Sequence, residues 1–491
     1  VAQRKNRKKP RGLGFERMMA VERISRPAVS PDGSQVAYTA ARPDLEANKI
    51  RHVVRLLDLK TLRDRVLTPG PGDHKDPAWS PDGRWLAFVS DRDEKAGEQL
   101  WILPAEGGEA RCVTKGYGGV LRPIWAPDSR RIAFARKVVV SGEYRPRRGE
   151  EPDPRQGPSN AAVFGLVHPK SSARIADELL FRHWDRWRDR RRNHLFLADA
   201  VTGRLRDLTP FDCDIPPLAL GSDQDFDFCP DGREIAYVMN PDEVVARSTN
   251  NSIFLQKLNG LRPDGEPVCI SETEACDFHP RYGPDGRSVF YLGMEVPGYE
   301  ADKPRIKRYE RETGETRVYL DGFDRSPEAF IFAEHDGGAS VFFSAQDRGY
   351  VSIYHLDAET GRVVQHTQGT CNSFLAPIPG GADLLVIRET TTRPAELHRL
   401  TLGSGIRPVL RNGGAPGPAA AVPVPAGKVR GSAGKAPGPV VADAGCTAER
   451  LTRNADVLAG VEMNEAEEFW YPGAGDVPVH GFLIKPAGFD A

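Results

Sequence analysis

Short runs of strand-forming apolar residues, each introduced by a Pro-Asp-Gly turn, dominate this chain. The run WLAFVS after SPDGR is apolar at almost every position, and IAFAR, IAYVM and VFYLG follow comparable turns. A strand with one covered face alternates apolar and polar residues; a strand apolar throughout needs cover on both faces. The phrase recurs as VSPDGSQVAYTA from 29, WSPDGRWLAFVS from 79, WAPDSRRIAFAR from 125, FCPDGREIAYVM from 228 and YGPDGRSVFYLG from 282. Weaker copies begin at 334 (EHDGGASVFFSA) and 377 (PIPGGADLLVIR). Asp-Gly supplies the positive φ that a tight hairpin needs, and the preceding proline fixes its entry.

A second hairpin pattern follows each copy, as in LWILPAEGGEARCVT, LFLADAVTGRLRDLT and IYHLDAETGRVVQHT. Two hairpins make a four-stranded module of about fifty residues. Seven such modules predict an all-β fold, a seven-bladed β-propeller spanning residues 21–460. Two stretches break the period. Residues 137–190 read as an excursion within the third module, polar and proline-rich at first and closing as RIADELLFRHWDRWRDRRRNHLF, with a degenerate eighth blade as the alternative. Residues 403–446 are a Gly/Pro/Ala-rich insertion within the seventh, expected to loop out from the body. The basic start, VAQRKNRKKPRGLG, reads with its neighbours as a disordered tail over 1–20.

Composition changes this picture little. The 491 residues carry a net charge of −1, so no global field draws the chain to nucleic acid or to an anionic membrane, and neither is expected as a partner. No run of eighteen apolar residues occurs. Seven cysteines, an odd number without a CxxC pair, point to a reducing, cytoplasmic setting rather than a disulfide framework.

Candidate chemistry is sparse. There is no GxSxG nucleophile elbow and no HExxH, and GKVRGSAGKA fails the P-loop spacing. Asp223, Asp225, Asp227 and Glu234 are spaced like calcium-loop ligands, but Phe228 stands where that loop needs glycine and the PDG turn claims 230–232. No metal or cofactor is expected. RHWDRWRDRRR could stack on single-stranded nucleic acid; the reading preferred here packs Trp184 and Trp187 on the propeller rim and leaves the arginines solvated. Glu243, in the loop NPDEVVARSTNNSIF, is the candidate substrate-binding residue, a carboxylate able to pair with a ligand amine; the plainer reading is a solvated loop charge.

The ordered set ISRPAVSPDGSQVAY, LLFRHWDRWRDRRRNHLFLADAVTGRLRDLTP, DFDFCPDGREIAYVMN and EVVARSTNNSIFL resembles the propeller of the prolyl oligopeptidase family of serine peptidases. It is most similar to the dipeptidyl peptidase and acylaminoacyl peptidase branch. The PDG repeat alone is shared with TolB-like propellers. The last stretch, EEFWYP…VPVHGFLIKPAGFD, is more specific and resembles the first strand pair of that family's α/β-hydrolase domain. The resemblance implies that residues 461–491 begin a peptidase domain, incomplete here, whose Ser, Asp and His are not among these residues. No catalytic residue is carried over. The implied partners are short peptide substrates, with any homo-oligomer forming through the catalytic domain. A stand-alone propeller binding a protein or peptide is the alternative.

Overall fold

The computed structural model describes residues 12–93, 97–140, 176, 179–188, 191–335, 338–402, 407–408 and 446–489. The residues before 12, most of the 137–190 excursion and most of the 403–446 insertion lie outside the described residues. Two compact units divide the chain: Arg26–Thr39 with His52–Phe332, and Val1–Ser25 with Ala40–Arg51 and Ala333–Ala491.

Antiparallel sheets follow one another along the chain. The first runs Arg23–Val29, Gln35–Asp44, Lys49–Asp58, Asp64–Val66, and the second His74–Trp79, Trp85–Ser90, Gln99–Pro104, Arg111–Cys112. The third is Leu121–Trp125, Arg131–Val139, Arg191–Asp199 and Leu205–Asp207. Its two central strands pair from Arg131↔Asp199 to Val139↔Arg191, so the excursion leaves and rejoins one hairpin. The fourth holds Phe226–Phe228, Glu234–Met239 and Ser252–Asn259, with Arg262–Pro263 and Val268–Cys269 both on the last. The fifth is Asp277–Tyr282, Ser288–Gly293, Arg305–Glu310, Thr316–Tyr319.

Each PDG turn works the same way. The aspartate carboxylate accepts the N–H two residues on: Asp32 from Ser34 (3.1 Å), Asp82 from Arg84 (3.0 Å), Asp231 from Arg233 (2.9 Å) and Asp285 from Arg287 (3.0 Å). The glycine takes the left-handed conformation, φ 71° at Gly33 and 70° at Gly83; in the APDS copy Ser129 adopts it at 54°.

The two-faced strands pack sheet against sheet. Ala37, Val54 and Leu56 of the first meet Leu86 and Phe88 of the second. Val89, Leu100 and Ile102 meet Ile132 and Phe134 of the third. Leu195 and Leu197 meet Phe226, Ile235 and Tyr237 of the fourth, and Val238 and Ile253 meet Val289 and Tyr291 of the fifth. A polar strap repeats between the first strands. Trp79 Nε1 donates to the Ala28 carbonyl (3.1 Å), and Trp125 Nε1 to the Ala78 carbonyl (3.0 Å). Trp125→Phe keeps the apolar ring but orphans that carbonyl. It should cost about 1–2 kcal/mol in urea denaturation; no measurable loss would mean that the strap is incidental.

A further sheet runs Pro327–His335, Gly338–Asp347, Tyr350–Leu356, Cys371–Pro377, Asp383–Thr390, Arg393–Thr401, Thr447–Arg450, with all but its first strand in the smaller unit. Two modules merge here through a parallel pair, Val351↔Cys371. The short strand Val363–Gln365 covers Tyr354–Leu356 on that edge, leaving the start of Tyr350–Leu356 open there, and pairs on its other side with Arg407–Pro408. The tail expected over 1–20 differs as well. Phe15–Ala20 is a helix, with the Arg17 guanidinium on the Ala459 carbonyl (3.0 Å), and Asn454 donates to the Glu22 carbonyl (3.0 Å). Contacts with chain more than 400 residues away thus order the stretch after the basic run. Finally, Glu467–Pro472 and Pro478–Leu483 form a two-stranded hairpin with Phe469, Trp470, Tyr471, Phe482 and Leu483 exposed.

Candidate functional site

One register position recurs in, or for the fourth sheet directly before, the first strand of each of the first five sheets. It lies five residues before the proline of each PDG turn and carries Arg26, Asp76, Arg122, Asp225 and His279 in turn. Four of these residues sit in the left-handed region: φ is 51° at Arg26, 53° at Asp76, 55° at Arg122 and 57° at His279. At Asp76, Arg122 and His279 the ladder slips by a bulge. Pro27, Pro77, Pro123 and Pro280 follow directly. A proline cannot donate to the ladder, so pairing breaks there and the strand bends. Non-glycine residues in this conformation carry strain, which is found disproportionately where side chains are aimed at a ligand or at one another.

Here they are aimed at one another. Arg26 Nη2 lies 3.0 Å and Arg122 Nη2 3.5 Å from the same oxygen, Asp223 Oδ1. Arg26 Nε is 3.9 Å from Asp76, and Arg122 Nη1 donates to the Ser222 carbonyl at 2.5 Å. Behind this exposed set lies a buried one. Asp225 Oδ2 accepts Ser222 N–H (2.8 Å), while Oδ1 accepts Ser222 Oγ–H (2.6 Å) and His279 N–H (3.1 Å). Burial raises the Asp225 carboxyl against these hydrogen bonds. Burial pushes Asp227 up to about 6, opposed by the Arg281 charge. His279 Nε2 faces the Phe330 carbonyl (3.2 Å) and Nδ1 faces Arg281 (3.4 Å). One nitrogen therefore donates and the other accepts, so the ring is neutral. Burial, then Arg281, holds its pKa well below the usual range.

In a meander, the start of the first strand and the link between the second and third strands lie at the same end. The 240–251 loop and its Glu243 therefore share an end with the charged set, opposite the PDG turns. The loop is built, not slack. Asn250 Nδ2 donates to Asp242 (2.9 Å), Asp242 N–H to Asn240 Oδ1 (3.0 Å), Asn251 Nδ2 to the Ala219 carbonyl (3.0 Å) and Gly298 N–H to Thr249 Oγ1 (2.8 Å). Asp242 is engaged within the loop, and Glu243 is exposed at its tip. The charged set was not singled out from the sequence. The signal was present in RPAV, DPAW, RPIW and HPRY, where a polar residue precedes proline at a fixed distance from the turn.

Other sequence candidates separate. Asp225, Asp227 and Glu234 are spent on protein partners: Glu234 accepts from Tyr282 OH (2.9 Å) and Arg311 (2.7 Å). Among the described residues no group of His, Cys, Asp and Glu is arranged to hold a metal. Trp184 does not pack on a rim as expected. It is 81% exposed in the turn of a small hairpin, Arg182–His183 with Arg186–Trp187; Trp187 is exposed too, while Arg188 and Arg192 pair with Asp214 and Asp212 and are largely covered instead of solvated. His74 Nδ1 meets Ser90 Oγ at 2.8 Å, the contact a nucleophile and base would make, but both side chains are sealed from solvent. That pair is a core hydrogen bond. His480 stacks on Trp470 (4.3 Å) and faces Glu468.

Residues 17–139 match the profile of the TolB beta propeller domain. The chain is 28% identical over 402 residues to a protein of Porphyromonas gingivalis named dipeptidyl-peptidase 5, covering 79% of the chain and 54% of that protein. It is 24% identical over 517 residues to the probable dipeptidyl-peptidase 5 of Arthroderma benhamiae, covering 98% and 62%. The chain thus spans just over half the length of these curated relatives. Among solved structures, Pyrococcus horikoshii acylaminoacyl peptidase aligns with a TM-score of 0.62 at 18% identity, over 95% of this chain and 58% of that one. The β-propeller domain of the Trilobed protease from Pyrococcus furiosus aligns at 0.50 and 17%, over 77% and 93%. The all-β fold is that of a propeller.

Proposed function

We propose that the chain is the propeller region of a serine peptidase of the prolyl oligopeptidase family, and that it gates substrate for an exopeptidase. That enzyme removes dipeptides or acyl-amino acids from the N-terminus of short peptides. The observation that carries this reading is the match to dipeptidyl peptidases along 79% of the chain. We read the modules as seven blades within residues 21–460, and the Glu467–Leu483 hairpin as the opening strands of an α/β-hydrolase domain from 461. The exposed aromatic residues of that hairpin support this, since a two-stranded sheet with uncovered apolar faces is stabilised by further strands and a covering layer. The chemistry follows acyl transfer: serine attack on the scissile carbonyl, an acyl-enzyme, then hydrolysis, with the triad supplied by that domain. The 491 residues by themselves are inactive on this reading. The free thiols of Cys112, Cys213, Cys229, Cys269 and Cys276 support a cytoplasmic setting, and no described helix is long and apolar enough to cross a membrane.

Glu243 is the residue we assign to the substrate ammonium. A built loop holding an exposed carboxylate suits that role. With the 491-residue chain, tripeptides with a free N-terminus should bind several-fold tighter than their N-acetylated forms by calorimetry, and Glu243→Gln should erase the difference. Equal binding of both forms to the unaltered chain removes Glu243 from the site. Hydrolysis of a dipeptidyl-aminomethylcoumarin by this chain would overturn the division between gate and catalytic domain. The second reading, a stand-alone propeller that binds a protein partner, is favoured by one feature, the exposed tip formed by Leu179, Phe181 and Trp184. Binding to folded proteins but to no short peptide would select it.

A further inference from the structure

We propose that Arg26 and Arg122 form a carboxylate-binding site that Asp223 closes from within the chain and that the C-terminal carboxylate of a short peptide can occupy in its place. The two guanidinium groups come from different sheets, nearly a hundred residues apart, yet converge on one carboxylate oxygen. Two arginines on one oxygen are the arrangement used to recognise a carboxylate. Each arginine is presented by a left-handed residue followed by proline, so the backbone orientation is set before any ligand arrives. Arg122 is further fixed by its bond to the Ser222 carbonyl.

The present occupant is held loosely. Asp223 is 78% exposed, so water and solutes reach the carboxylate that the arginines share. Among the described residues, the hydrogen bonds to its carboxylate come from these two guanidinium groups. Asp225, two residues on, is buried and anchored by Ser222 and His279, so the chain beneath Asp223 stays in place when Asp223 moves. Counting Arg26, Arg122, Asp76 and Asp223, the set is neutral as closed and carries one net positive charge without Asp223. An incoming carboxylate restores neutrality. A tethered carboxylate competes at high effective concentration, so the closed site favours ligands that bring further contacts over small free anions. The identification of the ligand as a peptide rests on the peptidase reading above; the carboxylate chemistry does not.

The test is calorimetric and does not depend on hydrolysis. The dipeptide Gly-Phe, its C-terminal amide and sodium acetate are titrated into the unaltered chain, Asp223→Ala, and Asp223→Ala combined with Arg26→Ala or Arg122→Lys. Asp223→Ala should bind the free acid at least tenfold tighter than the amide, and at least fivefold tighter than the unaltered chain does. Raising sodium chloride from 25 to 300 mM should weaken that binding, about severalfold. Arg26→Ala should abolish the acid–amide difference, and Arg122→Lys, which keeps the charge but loses the fork, should reduce it. Equal affinity for acid and amide in Asp223→Ala overturns the site, as does an acid preference that survives Arg26→Ala. Arginine-dependent binding of acetate and dipeptide with equal affinity keeps the carboxylate site and overturns the peptide as its ligand, while leaving the Glu243 experiment to judge the peptidase reading.

Discussion

Replacing Lys307 with methionine should destabilise the protein by about 3–5 kcal/mol at pH 8, the usual consequence of leaving a buried charge without its partner. Lys307 Nζ lies 3.3 Å from Asp277 Oδ1 and donates to the Met294 carbonyl at 3.1 Å, and neither side chain has meaningful access to solvent. The pair occupies the space beside Gly293. A Cβ there would lie 2.3 Å from Asp277 Oδ1 and 2.6 Å from Lys307 Cε, so the strand carries glycine to make room. Burial pushes Asp277 up to about 6, against 3.8 for a free carboxyl, and the Lys307 charge opposes that rise. A folded value above the unfolded one means that the carboxyl's contribution is complete below pH 3.8 and is lost as pH rises through about 6. Without Lys307 the carboxyl rises further. The loss in Lys307→Met should therefore be largest at pH 8 and clearly smaller at pH 5, where the lone carboxyl can take up a proton. Urea denaturation at the two pH values reads this directly. Equal losses at both would mean that packing of the lysine stem, not the ion pair, is what the variant removes. The double variant Lys307→Met/Asp277→Leu should recover much of the loss, since an apolar pair needs no solvation.

Asp225→Ala should be nearly as costly, about 3–4 kcal/mol, because hydrogen bonds to a charged group contribute about 1.5–3 kcal/mol each and do not add fully. The carboxylate satisfies Ser222 N–H, Ser222 Oγ–H and His279 N–H, and so joins the fourth sheet to the fifth. Alanine leaves the buried His279 N–H without an acceptor. Asp223→Ala, two residues away, removes only ion pairs at an exposed carboxylate and should change stability by less than about 1 kcal/mol. Thermal unfolding of the two variants side by side separates the roles. Similar losses would show that the exposed pairs with Arg26 and Arg122 stabilise the sheets, and that the alternating charges are a structural seam more than a recognition surface.

Much of the architecture was legible along the chain for local reasons. A PDG turn is decided within four residues: the aspartate accepts the N–H two positions on, and glycine adopts a φ that other residues resist. The apolar runs that follow are compatible only with cover on both faces, and Phe88, Phe134, Tyr237 and Tyr291 are buried between successive sheets. The candidate site was legible only in part. Glu243 could be placed on a loop, but that Asp242 takes the internal hydrogen bonds while Glu243 stays exposed is visible only in the folded loop. The alternation Arg26, Asp76, Arg122, Asp225, His279 is written at a fixed distance from each turn, yet nothing in one module announces that it faces the next.

By itself, then, the sequence determined the repeat, the turns, the all-β class and the likeness to peptidase propellers. Each of these rests on interactions among residues close in the chain or on a pattern repeated along it. The tertiary structure alone decided which charges meet. Arg26 and Asp223 are separated by 197 positions. Their pairing depends on how successive sheets stack, and so on the summed packing of many apolar side chains. The same holds for Arg17 with Ala459, for Val351 with Cys371, and for the sealing of His74 with Ser90: burial and long-range distance are properties of the packed sheets, and no local preference encodes them.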